Sequence, residues 1–312
     1  MFRPIHLIPE KTDLNFVKFR FISLIVSTIL ILISLISFLF VGLNYGIDFK
    51  GGVLFEIRTN SGSADIPNLR KNLNNLNLGD ISIQSFGKET DVLIRIQKQE
   101  GDDKIQSQKL SIVKELLSED HKIRRTEFVG PTVGKELKKN GFWAVILALS
   151  AILFYIWFRF EWQFAIAAII ALFHDVLTTI GLFVLTGFEF NISTVAAILT
   201  IAGYSINDTV VVFDRVRENL RKSKSLDKLK IINTSLNETL SRTITTSVTT
   251  LIALFTIYIF GGEVLSIFTL AMIWGVLIGT YSSIFVASAL LTFFQLRRGD
   301  EEEDQSIQFN NG

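Results

Sequence analysis

Phe21 to Leu43 runs without a charged residue, and five more apolar stretches follow at roughly 142–158, 163–186, 191–213, 243–260 and 265–293. Crossing the hydrocarbon core of a bilayer takes about 20 residues of helix, whose backbone polar groups must all be bonded inside the segment. Six such runs predict six membrane helices, with the polar remainder of the chain folded outside them. The last run is long enough to tilt or to extend into water. The first exceeds the ~7–15 apolar residues of a signal peptide and no small-x-small cleavage site follows it, so it is expected to stay as an anchor.

Composition narrows the chemistry. Apolar residues make up 49% of the chain, yet the net charge is only +1, which gives no hint of nucleic-acid binding. There is no cysteine, and the three histidines are scattered at positions 6, 121 and 174. Neither disulfides, a thiolate site, a cysteine nucleophile nor a structural zinc site is expected. No metal or organic cofactor is implied.

The segment 44–140 reads as a soluble domain. Val53, Phe55 and Ile57 alternate with Leu54, Glu56 and Arg58, which is strand periodicity. Ile66, Leu69, Leu73 and Leu76 follow at helical spacing. Two strands around Ile81–Ile83 and Val92–Ile96 are joined by the turn-rich GKETD, and a second helix is expected over 103–118, with Ile105, Ile112, Val113 and Leu116 on one side. A last strand at 122–129 is weaker because Arg124, Arg125 and Glu127 interrupt it. The order β-α-β-β-α-β predicts a small ferredoxin-like α+β sandwich. It holds no convincing triad or metal cluster, so the domain is expected to carry no catalysis, and the chain is not expected to be an enzyme.

Charge asymmetry orients the spans. Arg215, Arg217, Arg221, Lys222, Lys224, Lys228 and Lys230 lie between the fourth and fifth, and Arg297 and Arg298 follow the sixth. The short loops 187–190 and 261–264 have Glu189 and Glu263 but no lysine or arginine. Both termini and the 214–242 stretch are thus expected in the cytoplasm, with 44–140 outside. The chain divides into an N-terminus with the first helix (1–43), the outer domain (44–140), spans two to six (141–296) and an acidic tail (297–312) expected to be disordered. The amphipathic segment 226–240 most simply lies on the inner membrane surface.

Two spans carry costly polar residues. On the fourth, Thr200, Tyr204, Asn207 and Asp208 fall at i, i+4, i+7 and i+8, beside Ser205. A carboxylate at such a depth costs ~2.5–3.5 kcal/mol on insertion scales unless it finds a partner or water. On the fifth, Arg242, Thr246 and Thr249 share one face. An Asp208–Arg242 ion pair is geometrically possible, either to couple an ion or simply to join two helices, and Arg242 could instead snorkel to the surface. Asp175 and His174 on the third span point about 100° apart, so they form no automatic dyad. Asp175 could pack, be hydrated or belong to a relay.

At GYSINDTVVVFDRVREN (203–219) and SRTITTSVTT (241–250) the chain resembles the SecF branch of the SecD/SecF family, within the resistance-nodulation-division superfamily. The resemblance continues through NYGIDFKGG (44–52), VGPTVGKEL (129–137), LFHDV (172–176) and FGGEVLSIFTLAMIWGVLIGTYSSIFVASAL in the last two spans. It implies an α-helical polytopic membrane protein of six spans with a ferredoxin-like extracytoplasmic domain, in the bacterial cytoplasmic (inner) membrane. It implies an auxiliary role in protein translocation driven by the proton-motive force, with protons as the coupling ion. SecD, the SecYEG channel, the translocating preprotein and membrane lipids are the implied partners.

By position, the resemblance makes Asp208 the carboxylate that binds and releases the proton, Arg242 its basic partner and Thr246 a hydroxyl that helps the site. Asn207 and Asp175 stand as supporting candidates. Gly46, Asp48, Gly51 and Gly52 are expected to form the structural junction between first span and domain. Burial and a neighbouring arginine pull a carboxylate's protonation in opposite directions, so small helix shifts can switch it. The alternatives are a proton-coupled exporter of small molecules or lipids, and a passive scaffold for SecD.

Overall fold

The computed structural model describes residues 9, 12–60, 62–76, 78, 81–86, 88–96, 103–223 and 226–296; the expected acidic tail lies outside them. It divides into two compact units. One comprises Met1–Leu43, Val145–Phe188 and Thr194–Gly312, the other Asn44–Ala144 and Glu189–Ser193.

In chain order the elements are α1 (Arg20–Phe40), the short α2 (Ile47–Lys50), β1 (Gly52–Thr59), α3 (Ile66–Asn74), β2 (Ile81–Phe86), β3 (Lys88–Ile96), α4 (Asp103–Asp120) and β4 (His121–Val129). There follow α5 (Pro131–Arg159), α6 (Trp162–Thr186), α7 (Ile192–Lys222), α8 (Lys228–Phe260), α9 (Glu263–Tyr281), a π-helical turn (Ser282–Ala287) and α10 (Ser288–Leu291). Six of these stretches are long and apolar enough to cross a bilayer, the last of them Leu265–Leu291.

The outer unit is a four-stranded antiparallel sheet of order β2-β3-β1-β4 with α3 and α4 on one face, the ferredoxin-like sandwich expected from the sequence. Alternation decides its two faces. Val53, Phe55, Ile57, Val92 and Ile94 pack with Leu69, Leu73, Val113 and Leu117 in a closed core. Asp65 caps α3 by accepting the Asn68 N–H at 3.1 Å.

The opposite face holds Leu54 and Leu93 with Ile47, but also the buried Glu56, Asp91 and Arg95. Arg58 Nε meets Asp91 at 2.5 Å, and Arg124 reaches both Glu56 at 3.4 Å and Asp91 at 3.6 Å. Those arginines explain why β4 reads poorly. Pairing slips between Glu56 and Ile57, opposite Arg125 and Ile123, so Arg124 is a bulge residue aimed at buried carboxylates. The KETD of the expected turn is strand instead, because β3 already begins at Lys88.

In the membrane unit, α1 lies along α6 and α8 along α9. Ser34 on α1 touches Gly181 on α6 so closely that a side chain at 181 would overlap it. Small residues that let helices approach in this way are the usual glue of membrane interfaces. The segment 226–240 does not stand apart. α8 is one helix from Lys228, and Ile231, Ile232, Leu236 and Leu240 are buried with Phe160, Phe164, Phe213 and Val216. Its apolar stripe finds helices to cover it, and its helical register runs straight into the fifth span. Asn233 and Asn237 also hold the N-terminal segment, accepting the Phe16 and Leu14 N–H groups at 2.8 Å each.

Candidate functional site

Asp208 is 4% exposed on α7, and its buried Oδ2 has no hydrogen-bond partner among the described residues. Tyr204, one turn earlier, and Thr243 on α8 also bury hydroxyls that find no partner among the described residues. Among the described residues no ion pair joins Asp208 to Arg242. The Arg242 side chain is exposed in this chain, although its charge acts on the Asp208 carboxylate. Thr246 is half-buried and gives its hydroxyl to the Thr243 carbonyl at 2.9 Å. Asn207 is exposed. The site thus has its acid in the interior, while its cation and amide lie on the helix surface.

A second carboxylate is fully satisfied. Asp175 is 0% exposed. Its Oδ1 lies 2.8 Å from His174 Nδ1, so the neighbours do form a hydrogen-bonded pair despite their angular separation. Its Oδ2 accepts from Ser205 Oγ on α7 and from Ser282 Oγ in the π turn, the latter at 2.6 Å. Thr209 Oγ1 and Ser283 Oγ, 2.8 Å apart, tie the same two elements again. α9 can approach α7 here because a Cβ at Gly279 would stand 3.0 Å from Ser205 Cβ. The two serines are the residues that pattern reading missed. LFHDV and GYSIND mark their acids, but nothing local shows that Ser205 and Ser282 converge on Asp175.

The junction residues form a third feature, inside the outer unit. Gly51 and Gly52 adopt φ of +74° and +131°, angles that favour glycine and let the chain turn from α2 into β1. Gly46 lies against the Glu189 side chain. Asp48 Oδ2 accepts the Ile192 N–H at 2.9 Å, at the start of α7. Phe190 N donates to Asn44 O at 2.8 Å, and Gly46 N to Phe190 O at 2.9 Å. Arg95 on β3 forms an ion pair with Glu189. Burial raises the Glu189 carboxyl above its ordinary range, even though Arg95 opposes the shift. A cavity of about 230 Å³ opens beside this cluster, lined in part by Tyr45, Lys50, Ser82 and Arg95. No group of three or more His, Cys, Asp or Glu residues placed to hold a metal occurs among the described residues.

Six apolar candidate spans, a buried acid on the fourth and, in sequence between the first two, a ferredoxin-like domain define a polytopic membrane protein. The chain belongs to the SecD/SecF family of protein export membrane proteins. The model of the SecD/SecF C-terminal region matches residues 108–297, and that of the SecD/SecF GG motif matches 36–62. The chain is 43% identical over 298 residues to the protein translocase subunit SecF of Rickettsia bellii (strain OSU 85-389), covering 93% of this chain and 96% of that one. With the SecF of Rhodobacter capsulatus the identity is 45% over 323 residues, with 98% and 96% covered.

Two solved structures are similar. The crystal structure of SecDF, a translocon-associated membrane protein from Thermus thermophilus, matches with a TM-score of 0.84 at 35% identity, over 93% of this chain. SecDF in a super-membrane-facing form matches with a TM-score of 0.67 at 33% identity, over 99% of this chain. This chain spans only 39% and 41% of those two SecDF chains.

Proposed function

We propose that this chain is the SecF-type half of a SecD-containing auxiliary translocase, which uses the proton-motive force to help preproteins across the bacterial cytoplasmic membrane through SecYEG. Protons are its only coupling species in this reading, and it catalyses no covalent reaction. Both termini face the cytoplasm and the outer domain faces the periplasm.

The observation that carries the reading is Asp208, a buried carboxylate on a candidate span with an oxygen that no group among the described residues satisfies. A charge so placed is retained against its cost where it moves ions. Gaining a proton removes its attraction to Arg242, and losing it restores that attraction. Each state thus favours a different helix arrangement, and a proton gradient biases the cycle. A SecDF protein solved in a form named super-membrane-facing supports more than one arrangement in this family.

A SecD partner is supported by what this chain leaves uncovered. Ala196, Thr200, Gly203 and Asn207 on α7, and Arg242, Thr245 and Thr249 on α8, are exposed within candidate spans. Polar and small residues in such positions fit another helix bundle better than lipid. SecDF chains contain more than half their length beyond the part matched here.

The test is Asp208→Asn, expressed with SecD and scored for preprotein export across an energised membrane. Lost export at normal assembly is the expected result. Normal export would leave a passive scaffold.

A further inference from the structure

We propose that the buried Arg95–Glu189 pair is a tie through which the outer domain and the helix carrying Asp208 are displaced together. Both are positioning residues that take no part in proton transfer. The inference rests on the proton-driven reading above and supplies its mechanical link.

Arg95 is 9% exposed and Glu189 8%. Arg95 sits on β3, an interior strand, opposite Leu54 of β1 and Ser82 of β2. It therefore reports the position of the whole sheet. Glu189 lies three residues before the start of α7, and the Ile47 backbone also hydrogen-bonds its carboxylate. The same short segment is held at Phe190, by its two main-chain bonds to Asn44 and Gly46, and at Ile192, whose N–H Asp48 accepts. That N–H is one of the groups a helix start leaves free, so Asp48 fastens the first turn of α7 itself.

Ile192 and Ser193 belong to the outer unit, yet they are also the first two residues of the 31-residue α7. Asp208 lies sixteen positions after Ile192 on this uninterrupted helix, about 24 Å at 1.5 Å per residue. A helix transmits axial displacement and rotation along its length. A shift of α7 on protonation of Asp208 thus reaches Glu189, and Glu189 passes it to the sheet through Arg95.

Why the link is ionic follows from specificity. Replacing a buried ion pair by apolar residues can be neutral or stabilising, whereas removing one member leaves an uncompensated charge, so such a pair fixes one arrangement rather than adding strength. Asp48 and Gly46 support it, one by holding the helix start and the other by leaving room for the Glu189 carboxylate.

The test uses the full chain with its SecD partner in inverted membrane vesicles, recording proton flux with a pH-sensitive dye and preprotein transport by protease protection. Arg95→Glu, Glu189→Arg and Glu189→Gln are each expected to lower the preprotein moved per proton, both scaled to the amount of chain in the membrane, by at least about fivefold, the scale of a coupling between sites, with flux per chain retained. The swap Arg95→Glu with Glu189→Arg is expected to restore most of that ratio. The tie is overturned if all the single variants keep the parental ratio, or if flux, transport and chain level fall together and the swap rescues none. Asp208→Asn separates the two ideas. If it transports normally, the proton-driven reading fails and takes the tie with it. If it is inactive while the Arg95 and Glu189 variants keep full coupling, the tie alone fails.

Discussion

Ser282 Oγ donates to Asp175 Oδ2 at 2.6 Å, fastening the π turn of the last span to the middle of α6. Its neighbour Ser283 bonds Thr209 of α7, so two consecutive serines serve two different helices. Local π-helical turns recur where a helix must present side chains in directions a regular register would not. Here the turn closes a knot between α6, α7 and the last span, with Ser205, which also bonds Asp175, one turn from Asp208.

Removing the centre of that knot should be costly. Asp175→Ala leaves the His174 ring nitrogen and the Ser205 hydroxyl short of a partner, at roughly 1–3 kcal/mol for each buried group left unmatched. Ser282→Ala deletes one buried hydrogen bond to Asp175, which keeps those to His174 and Ser205, and is expected to cost about 0.5–1.5 kcal/mol. Thermal unfolding in detergent, followed by loss of monodisperse protein on heating, gives the order: parent, Ser282→Ala, Asp175→Ala. An Asp175→Ala melt equal to the parent's would rule out the knot as a source of stability.

Gly46→Ala tests the junction. The added methyl would enter the space of the Glu189 carboxylate, and overpacking of this kind costs about 1–3 kcal/mol. Faster amide exchange is expected at Phe190 and at position 46, whose main-chain bonds hold the segment. Gly62→Ala is the comparison. Its added Cβ would meet nothing within 4 Å, although its φ of +69° carries its own strain, so any loss there stays away from Phe190.

Glu189 also sets a pH dependence. Burial holds its carboxyl above the ordinary range, so across the window between unfolded and folded values the native state binds more protons than the unfolded one. Stability then declines as pH rises through that window and is greatest below it. The melting temperature of the outer domain in the full chain should fall over this interval. Glu189→Gln should flatten this part of the curve, and an unchanged slope would assign it to another group.

Gly203 probes the exposed face of α7. A Cβ there meets nothing within 4 Å, so the chain itself should accept Gly203→Leu. Intrinsic helix propensity adds roughly 0.5–1 kcal/mol in its favour. Recovery of SecD by affinity purification of this chain is expected to drop several-fold at unchanged expression. Full recovery would place the SecD contact on a different face.

Much of this protein is written locally. Apolar run length alone specifies six spans, because unpaired backbone groups cannot exist in lipid, and period-two alternation specifies the sheet face that packs on α3 and α4. The strings around Asp208 and Arg242 likewise mark an acid within an apolar run and a base at the opening of the next, positions whose cost singles them out without saying what they do. What side chains from distant positions do to one another follows no local period. The 174–175 hydrogen bond, the convergence of Ser205 and Ser282 on Asp175, the bulge that turns Arg124 towards Glu56 and Asp91, and the Arg95–Glu189 ion pair each need the chain already folded. The amphipathic stripe of 226–240 shows the same limit. Periodicity reveals that one face must be covered, but whether lipid or Phe164 and Val216 cover it is decided by which helices pack alongside.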